Sequence, residues 1–157
     1  MNLKDWKESI PEEIRNDPLW EMKVYQHALF LGEIAWIDTT KLVEDERLKS
    51  VSDQLIRAVG SIAANIAEGY SRGSGKDQAR FYEYALGSAR ESRGWYYQGR
   101  KVLGEEVVHH RIKLIEGIIR QLMTIIPYQR GYKIKEDKSN YTGEMNTILT
   151  NVPLPEN

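Results

Sequence analysis

The run from Gln54 to Glu91, QLIRAVGSIAANIAEGYSRGSGKDQARFYEYALGSARE, decides the fold. In its first half Leu55, Val59, Ile62 and Ile66 recur at steps of four, three and four. That spacing puts apolar side chains on one face of an α-helix. Ala58, Gly60, Ser61, Ala63, Ala64, Ala67 and Gly69 cover the flanks so thinly that neighbouring backbones are expected to come close. Asn65 and Glu68 sit within this thin cover, and any part of them that is buried needs a hydrogen-bond partner. The loop SRGSGK at 71–76 ends the helix, and Ser74 with Asp77 resembles a capping box that starts the next one. There, Phe81, Ala85, Ser88, Ser92, Trp95, Gly99 and Val102 hold a seven-residue repeat. A repeat of that kind favours long helices packed nearly parallel or antiparallel. The stretch therefore reads as a helical hairpin.

Working outward, Asp17 before Pro18 reads as a helix start, followed by a stripe of Val24, Ala28, Leu31, Ala35 and Leu42 that Asp38 interrupts. This helix is predicted to end near Val43. A charged connection follows, and Ser50 or Ser52 is the expected cap of the Gln54 helix. On the other side Gly104 introduces a last stripe of Val108, Ile112, Ile115, Ile119, Leu122 and Ile126. Ile118 and Ile125 widen it, which predicts burial on more than one side. Pro127 is the expected stop. Residues 1–16 show no sustained period and read as an N-terminal arm, and residues 128–157 read as an extended or disordered tail. The predicted fold is all-α: an antiparallel up-down-up-down four-helix bundle over residues 17–127 with a non-helical C-terminal tail.

A chain of 157 residues suits one domain. It has no cysteine, which excludes disulfides and thiolate metal sites. No apolar run reaches the roughly 18 residues of a membrane span, and MNLKDWKES is too charged for a signal peptide, so a cytoplasmic location is expected. The net charge of −1 hides a segregation: residues 1–53 hold 7 Lys+Arg against 12 Asp+Glu, and residues 54–130 hold 12 against 7. A basic middle of this kind suits an anion or the acidic part of a neighbouring copy. Trp20, Trp36, Tyr82, Tyr84, Trp95, Tyr96 and Tyr97 are too many for the interior of one small bundle, so some are expected at a subunit interface.

The segment SIAANIAEG at 61–69, with Arg72, Gly73, Ser74, Phe81 and the G-S-x-x-E run at 87–91, resembles a bacterial four-helix-bundle family. Its members are encoded in intervening sequences of large ribosomal RNA genes and include the accessory variability determinant of diversity-generating retroelements. The resemblance extends over roughly residues 20–126. It implies a helical bundle that assembles into a homo-oligomeric, five-membered ring, and a link to nucleic acid and to a reverse transcriptase partner. It brings no catalytic residues. The chain departs from the family pattern in having Ile56 before Arg57 where an arginine pair is common, Ala63 in place of a proline, and SRGWYYQGR after Glu91 in place of a leucine-rich continuation. Its sequence pI of about 6.3 also differs from the strongly basic retroelement protein.

Three motifs invite chemistry. The loop GYSRGSGKD lacks a glycine at position 70, where Tyr70 stands, and no strand precedes it, so it reads as an interhelical turn and not as a nucleotide-binding loop. Glu106 and His109 form a single Glu-x-x-His, but no second copy exists, and Val24 stands three residues before His27 where a glutamate would be needed. No metal, cofactor or enzymatic activity is expected. The third motif is a surface. Arg90, Arg93, Tyr97, Arg100 and Lys101 fall on one helical flank, with Lys76 and Arg80 extending it and Arg57 and Arg72 approaching from the preceding helix and loop. Arginine reads phosphates and stacks on bases, and tyrosine adds stacking.

Two readings of this surface stand side by side. Either it binds RNA or DNA, or its arginines pair with acidic residues such as Glu33, Glu44, Asp45 and Glu46 of the same or a neighbouring protomer. Asn65, Glu68, Ser88 and Glu91 are expected to meet as a structural polar seam that fixes helix register or the subunit interface. The expected function is a non-enzymatic, ring-forming scaffold that binds nucleic acid as an accessory subunit to a reverse transcriptase or other nucleic-acid enzyme. The alternative is a purely protein-binding oligomeric module.

Overall fold

Each stripe read from the sequence becomes a long helix. The computed structural model describes residues 1–132 and 141–156, the side chains of 141 and 142 excepted. Its helices are α1 (Leu3–Ser9), α2 (Glu12–Arg15), α3 (Lys23–Leu42), α4 (Lys49–Tyr70), α5 (Gly75–Leu103), α6 (Glu105–Gln129) and α7 (Tyr141–Thr150). Pro18–Glu21 and Glu46–Leu48 form short 3-10 turns, and no strand occurs among the described residues. The fold is all-helical and bundle-like: α4 packs on α3 and α5, α5 on α6, and α6 closes back on α3.

The thinly covered stretch packs as its pattern predicts. Leu55, Val59, Ile62 and Ile66 are buried on α4, and Ala58 and Ala63 flank them. At the end of that helix Gly69 allows a close approach to α5. A Cβ there would lie 2.7 Å from Tyr82 Cε1 and 3.1 Å from the Gln78 carbonyl oxygen. Ser74 then caps α5 as expected, with its hydroxyl accepting the Asp77 N–H at 3.2 Å and donating to the Asp77 carboxylate at 3.0 Å. Gly75 faces the Gln129 carbonyl oxygen so closely that any Cβ there would clash with it. The hairpin and the end of α6 therefore meet at backbone distance.

On α5 the seven-residue repeat is real, but half of it is shifted by one residue. The buried stripe is Tyr82, Ala85, Ala89, Ser92, Tyr96, Gly99 and Leu103, whereas Phe81, Ser88, Trp95 and Val102 are only partly buried. Either phase satisfies the spacing rule. Tyr96 is inside because its hydroxyl finds a buried partner on α3, and Gly99 because Leu42 packs against it, 3.0 Å from where a Cβ would be. Of the seven aromatic residues singled out, Trp20, Tyr82 and Tyr96 are inside, Trp95 is half-buried, and Trp36, Tyr84 and Tyr97 are exposed.

Both ends depart from the sequence reading. Residues 3–9 form α1, whose Trp6 is buried with ring centroids 6.1 Å from Trp20 and 5.2 Å from Phe30. The C-terminal tail is not wholly non-helical: Tyr141–Thr150 is helical, and Met145, Leu149 and Val152 enter the core. Those residues stand at i, i+4 and i+7, too short a pattern to specify a helix in isolation but sufficient once an apolar surface is there to receive it. Asp17 caps the Pro18–Glu21 turn through the Leu19 N–H at 2.8 Å, and α3 begins only at Lys23. Neither Ser50 nor Ser52 caps α4, which starts at Lys49, and Ser52 instead donates to the Thr39 carbonyl of α3 at 3.1 Å. Pro127 does not stop α6. It lies inside the last turn, and the helix ends two residues later where Gly131 turns the chain with φ +83°. A proline there has no N–H for the Met123 carbonyl, so α6 forgoes one hydrogen bond just before its end.

Candidate functional site

The arginines of α5 keep the arrangement their spacing implies. Arg90, Arg93 and Lys101 are exposed and have no partner among the described residues, as is Lys76 at the start of the helix. Arg100 lies over the Tyr97 ring at 4.0 Å and donates to the Tyr97 carbonyl at 2.9 Å. Arg72 and Arg80 both lie over Phe81, at 4.4 and 5.6 Å, while Tyr84 meets Phe81 edge-on at 5.5 Å. Of the predicted set, Arg57 pairs with Asp53 and Arg72 with Glu68, each one turn away, and Arg80 approaches Asp77 at 3.5 Å. The acidic connection does not reach this flank within the protomer. Glu44 pairs with Lys41, Asp45 with Arg47 and Glu46 with Lys49. Surface pairs of that kind contribute little stability, about 0–1 kcal/mol each.

Beneath the surface lies a polar node that sequence reasoning missed. Asp38 of α3 and Arg111 of α6 are both fully buried and form a two-point ion pair, Nε to Oδ2 at 2.8 Å and Nη2 to Oδ1 at 3.0 Å. The Tyr96 hydroxyl donates to the same carboxylate at 2.9 Å, and burial, reinforced by the Asp38 charge, holds its pKa well above the ordinary value. Arg111 Nη2 also donates to the Pro153 carbonyl at 2.9 Å, and Nη1 lies 3.0 Å from His110 Nδ1. The bond from His110 Nε2 to the Ile148 carbonyl, 2.7 Å, fixes the proton on Nε2, so Nδ1 accepts from the guanidinium. Burial lowers the pKa of His110, which favours the neutral ring. Asp38 was visible only as a break in the α3 stripe. Arg111 falls three residues after Val108 and four before Ile115, on the buried stripe of α6, so its one signal was a charge at an apolar position.

A second buried histidine, His27, accepts from Gln121 of α6 at 3.0 Å, and burial, followed by Lys7 and Lys23, lowers its pKa to about 4. Glu106 and His109 of the Glu-x-x-His line an open cleft of 340 Å³ between α6 and the C-terminal segment, together with Lys113, Glu144 and Asn151. Among the described residues no group of three or more His, Cys, Asp or Glu is placed to hold a metal.

With this geometry in hand, comparison with known proteins is decisive on one point. The family model described as 23S rRNA-intervening sequence protein matches residues 20–124. The chain belongs to that family. No curated protein and no solved structure matches it. The part shared with the 23S rRNA-intervening sequence proteins contains α3, α4, α5 and most of α6, hence Asp38, Tyr96, Arg111 and the whole arginine flank. It stops short of α1 and of the C-terminal segment whose carbonyls complete the node.

Within that shared part, the expected polar seam assembles only at one point. Ser88 donates to Ser61 across α4 and α5 at 3.1 Å. Asn65 instead bonds back along its own helix, to the Ser61 carbonyl at 2.8 Å and its hydroxyl at 3.0 Å. Glu68 is taken by Arg72, and Glu91 by the Trp95 indole N–H at 3.1 Å. The four residues therefore do not form one cluster: partners four residues away along the chain satisfy three of them before a neighbouring helix can.

Proposed function

We propose that this 23S rRNA-intervening sequence protein is a non-enzymatic scaffold that binds RNA or DNA along α5 and works as a homo-oligomeric ring, a pentamer by analogy with its family. The observation that carries the nucleic-acid part is the row of exposed cations on α5 left without a partner while the acidic residues of 44–46 pair locally. An up-down-up-down arrangement of α3 to α6 is part of the same proposal. It is supported by contacts whose numbers rise on one helix as they fall on the other, Ser61 with Ser88 and Gly69 with Tyr82, and His27 with Gln121 and Asp38 with Arg111. No described helix is long and apolar enough to cross a membrane, and we assign the protein to the cytoplasm. A reverse transcriptase or another nucleic-acid enzyme is the partner we propose for the scaffold.

Replacing Arg90, Arg93 and Arg100 by glutamine is expected to weaken nucleic-acid binding and flatten its salt dependence, because each lost phosphate contact removes about one released counterion. Unchanged affinity removes these residues from the reading. A second reading, a purely protein-binding module, is favoured by one observation: Trp36 on α3 is 70 % exposed. Light scattering on the same triple variant separates the two readings. Loss of oligomer mass with no nucleic-acid affinity to lose selects the protein-binding module.

A further inference from the structure

Along the outer face of α5 the residues Tyr84, Gly87, Arg90, Gly94, Tyr97 and Lys101 follow one another at helical steps of three or four. All six are exposed. The row runs about 25 Å at the ordinary rise of an α-helix. Tyr84 and Tyr97 are 52 % and 56 % exposed, and both are braced from behind, Tyr84 by the edge contact with Phe81 and Tyr97 by the Arg100 guanidinium. Between ring and cation stand two glycines at which an added Cβ would meet nothing within 4 Å. A glycine inside an exposed helix costs stability relative to alanine, and here neither glycine serves a close helix contact. The acids on this helix are engaged elsewhere: Glu83 with Arg130 at 2.6 Å, Glu91 with Trp95, and Asp77 with the Ser74 cap.

We infer that this row is a stacking platform for single-stranded nucleic acid, with bases lying flat on Tyr84 and Tyr97, in the open space beside Gly87 and Gly94, and phosphates held by Arg90 and Lys101. The inference rests on the nucleic-acid reading above and narrows it to a substrate class. In a duplex the base faces are buried in the stack, so exposed rings gain nothing from it, whereas every unpaired base has a free face to offer. Cations alternating with rings and gaps in a single row suit a single backbone whose bases are splayed to one side.

The test is fluorescence anisotropy on the full chain with two probes, an unstructured oligouridine and an RNA hairpin whose long paired stem is closed by the shortest stable loop. The single strand is expected to bind about tenfold tighter than the hairpin, and Tyr84→Ala or Tyr97→Ala to weaken it about tenfold with the salt slope unchanged. Gly94→Leu, which puts a good helix former into the open space, is expected to weaken the single strand to a similar degree without lowering the melting temperature. Equal or tighter hairpin binding, or tyrosine and Gly94→Leu variants that bind oligouridine like the parent, overturns the single-strand inference while the nucleic-acid reading stands. Binding of neither probe overturns both.

Discussion

Arg111 and Arg90 are the same residue type placed on neighbouring helices, and they have opposite fates. Arg111 is fully enclosed, and its donors are distributed over Asp38, Pro153 and His110. Arg90 is exposed with no partner among the described residues. A charge taken out of water costs several kcal/mol, about, unless partners replace the lost hydration, so Arg111 is held by its surroundings and is unavailable to a ligand. Arg90 keeps its hydration and remains free to exchange it for a phosphate. The comparison teaches that a count of arginines on basic helices does not measure binding capacity. What matters is which of them the fold has already used.

Removing Arg111 is the strongest way to break this contrast. Arg111→Ala leaves the Asp38 carboxylate buried with only Tyr96 to support it, and should cost about 3–5 kcal/mol in urea unfolding. Pairing it with a neutral partner, as Asp38→Leu with Arg111→Met, should cost far less, because no uncompensated charge remains. A single variant no worse than the double would show that the ion pair is not the organising contact of the core.

Acid sharpens the same contrast through the buried histidines. The unfolded chain protonates His27 near its ordinary pKa of 6.5, while the folded chain refuses the proton until about pH 4. Its contribution to stability is therefore whole above about pH 6.5 and is lost as pH falls toward 4, by up to about 3 kcal/mol. Burial pushes the folded pKa of His110 the same way, so it adds to the loss. Denaturant midpoints measured across this range should fall with pH, and His27→Gln should flatten the slope. A midpoint that rises as pH drops would contradict the buried, neutral histidines.

Smaller effects follow from the close approach and from the surface. Gly69→Ala forces a Cβ against the Tyr82 ring and the Gln78 carbonyl and should cost about 1–3 kcal/mol by thermal unfolding. Arg90→Gln and Arg93→Gln should change stability by no more than about 0.5 kcal/mol while weakening nucleic-acid binding, the reverse of the Arg111 pattern. If both arginines proved stabilising instead, they would be making contacts, such as those to another copy, that leave no room for a ligand.

Much of this was legible in the order of residues. The α4 stripe, the Ser74 cap, the stripe of α6 and the cation row of α5 all depend on local spacing, and local spacing survives into the fold because helix geometry is fixed by the backbone. The phase of the α5 repeat was not legible, since Trp95 and Tyr96 fit it equally well. Only the hydroxyl of Tyr96 reaching Asp38, 58 positions away in sequence, selects between them. The polar seam failed for a related reason. Asn65, Glu68 and Glu91 each had a partner one turn away, and short-range bonds form without the entropy cost of bringing distant segments together.

The sequence by itself determined that the chain is helical, where its four long helices run and which flank of α5 is basic, because each of these follows from residues within a turn or two of one another. Only the tertiary structure decided that Asp38, Tyr96 and Arg111 share one buried node, that Gly69 and Gly75 stand at backbone contacts, and that residues beyond 140 return as a helix to seal the core. Those outcomes depend on which surfaces meet. A buried charge or a short amphipathic segment is stable only when the far partner is already in place, and no local pattern records where that partner will be.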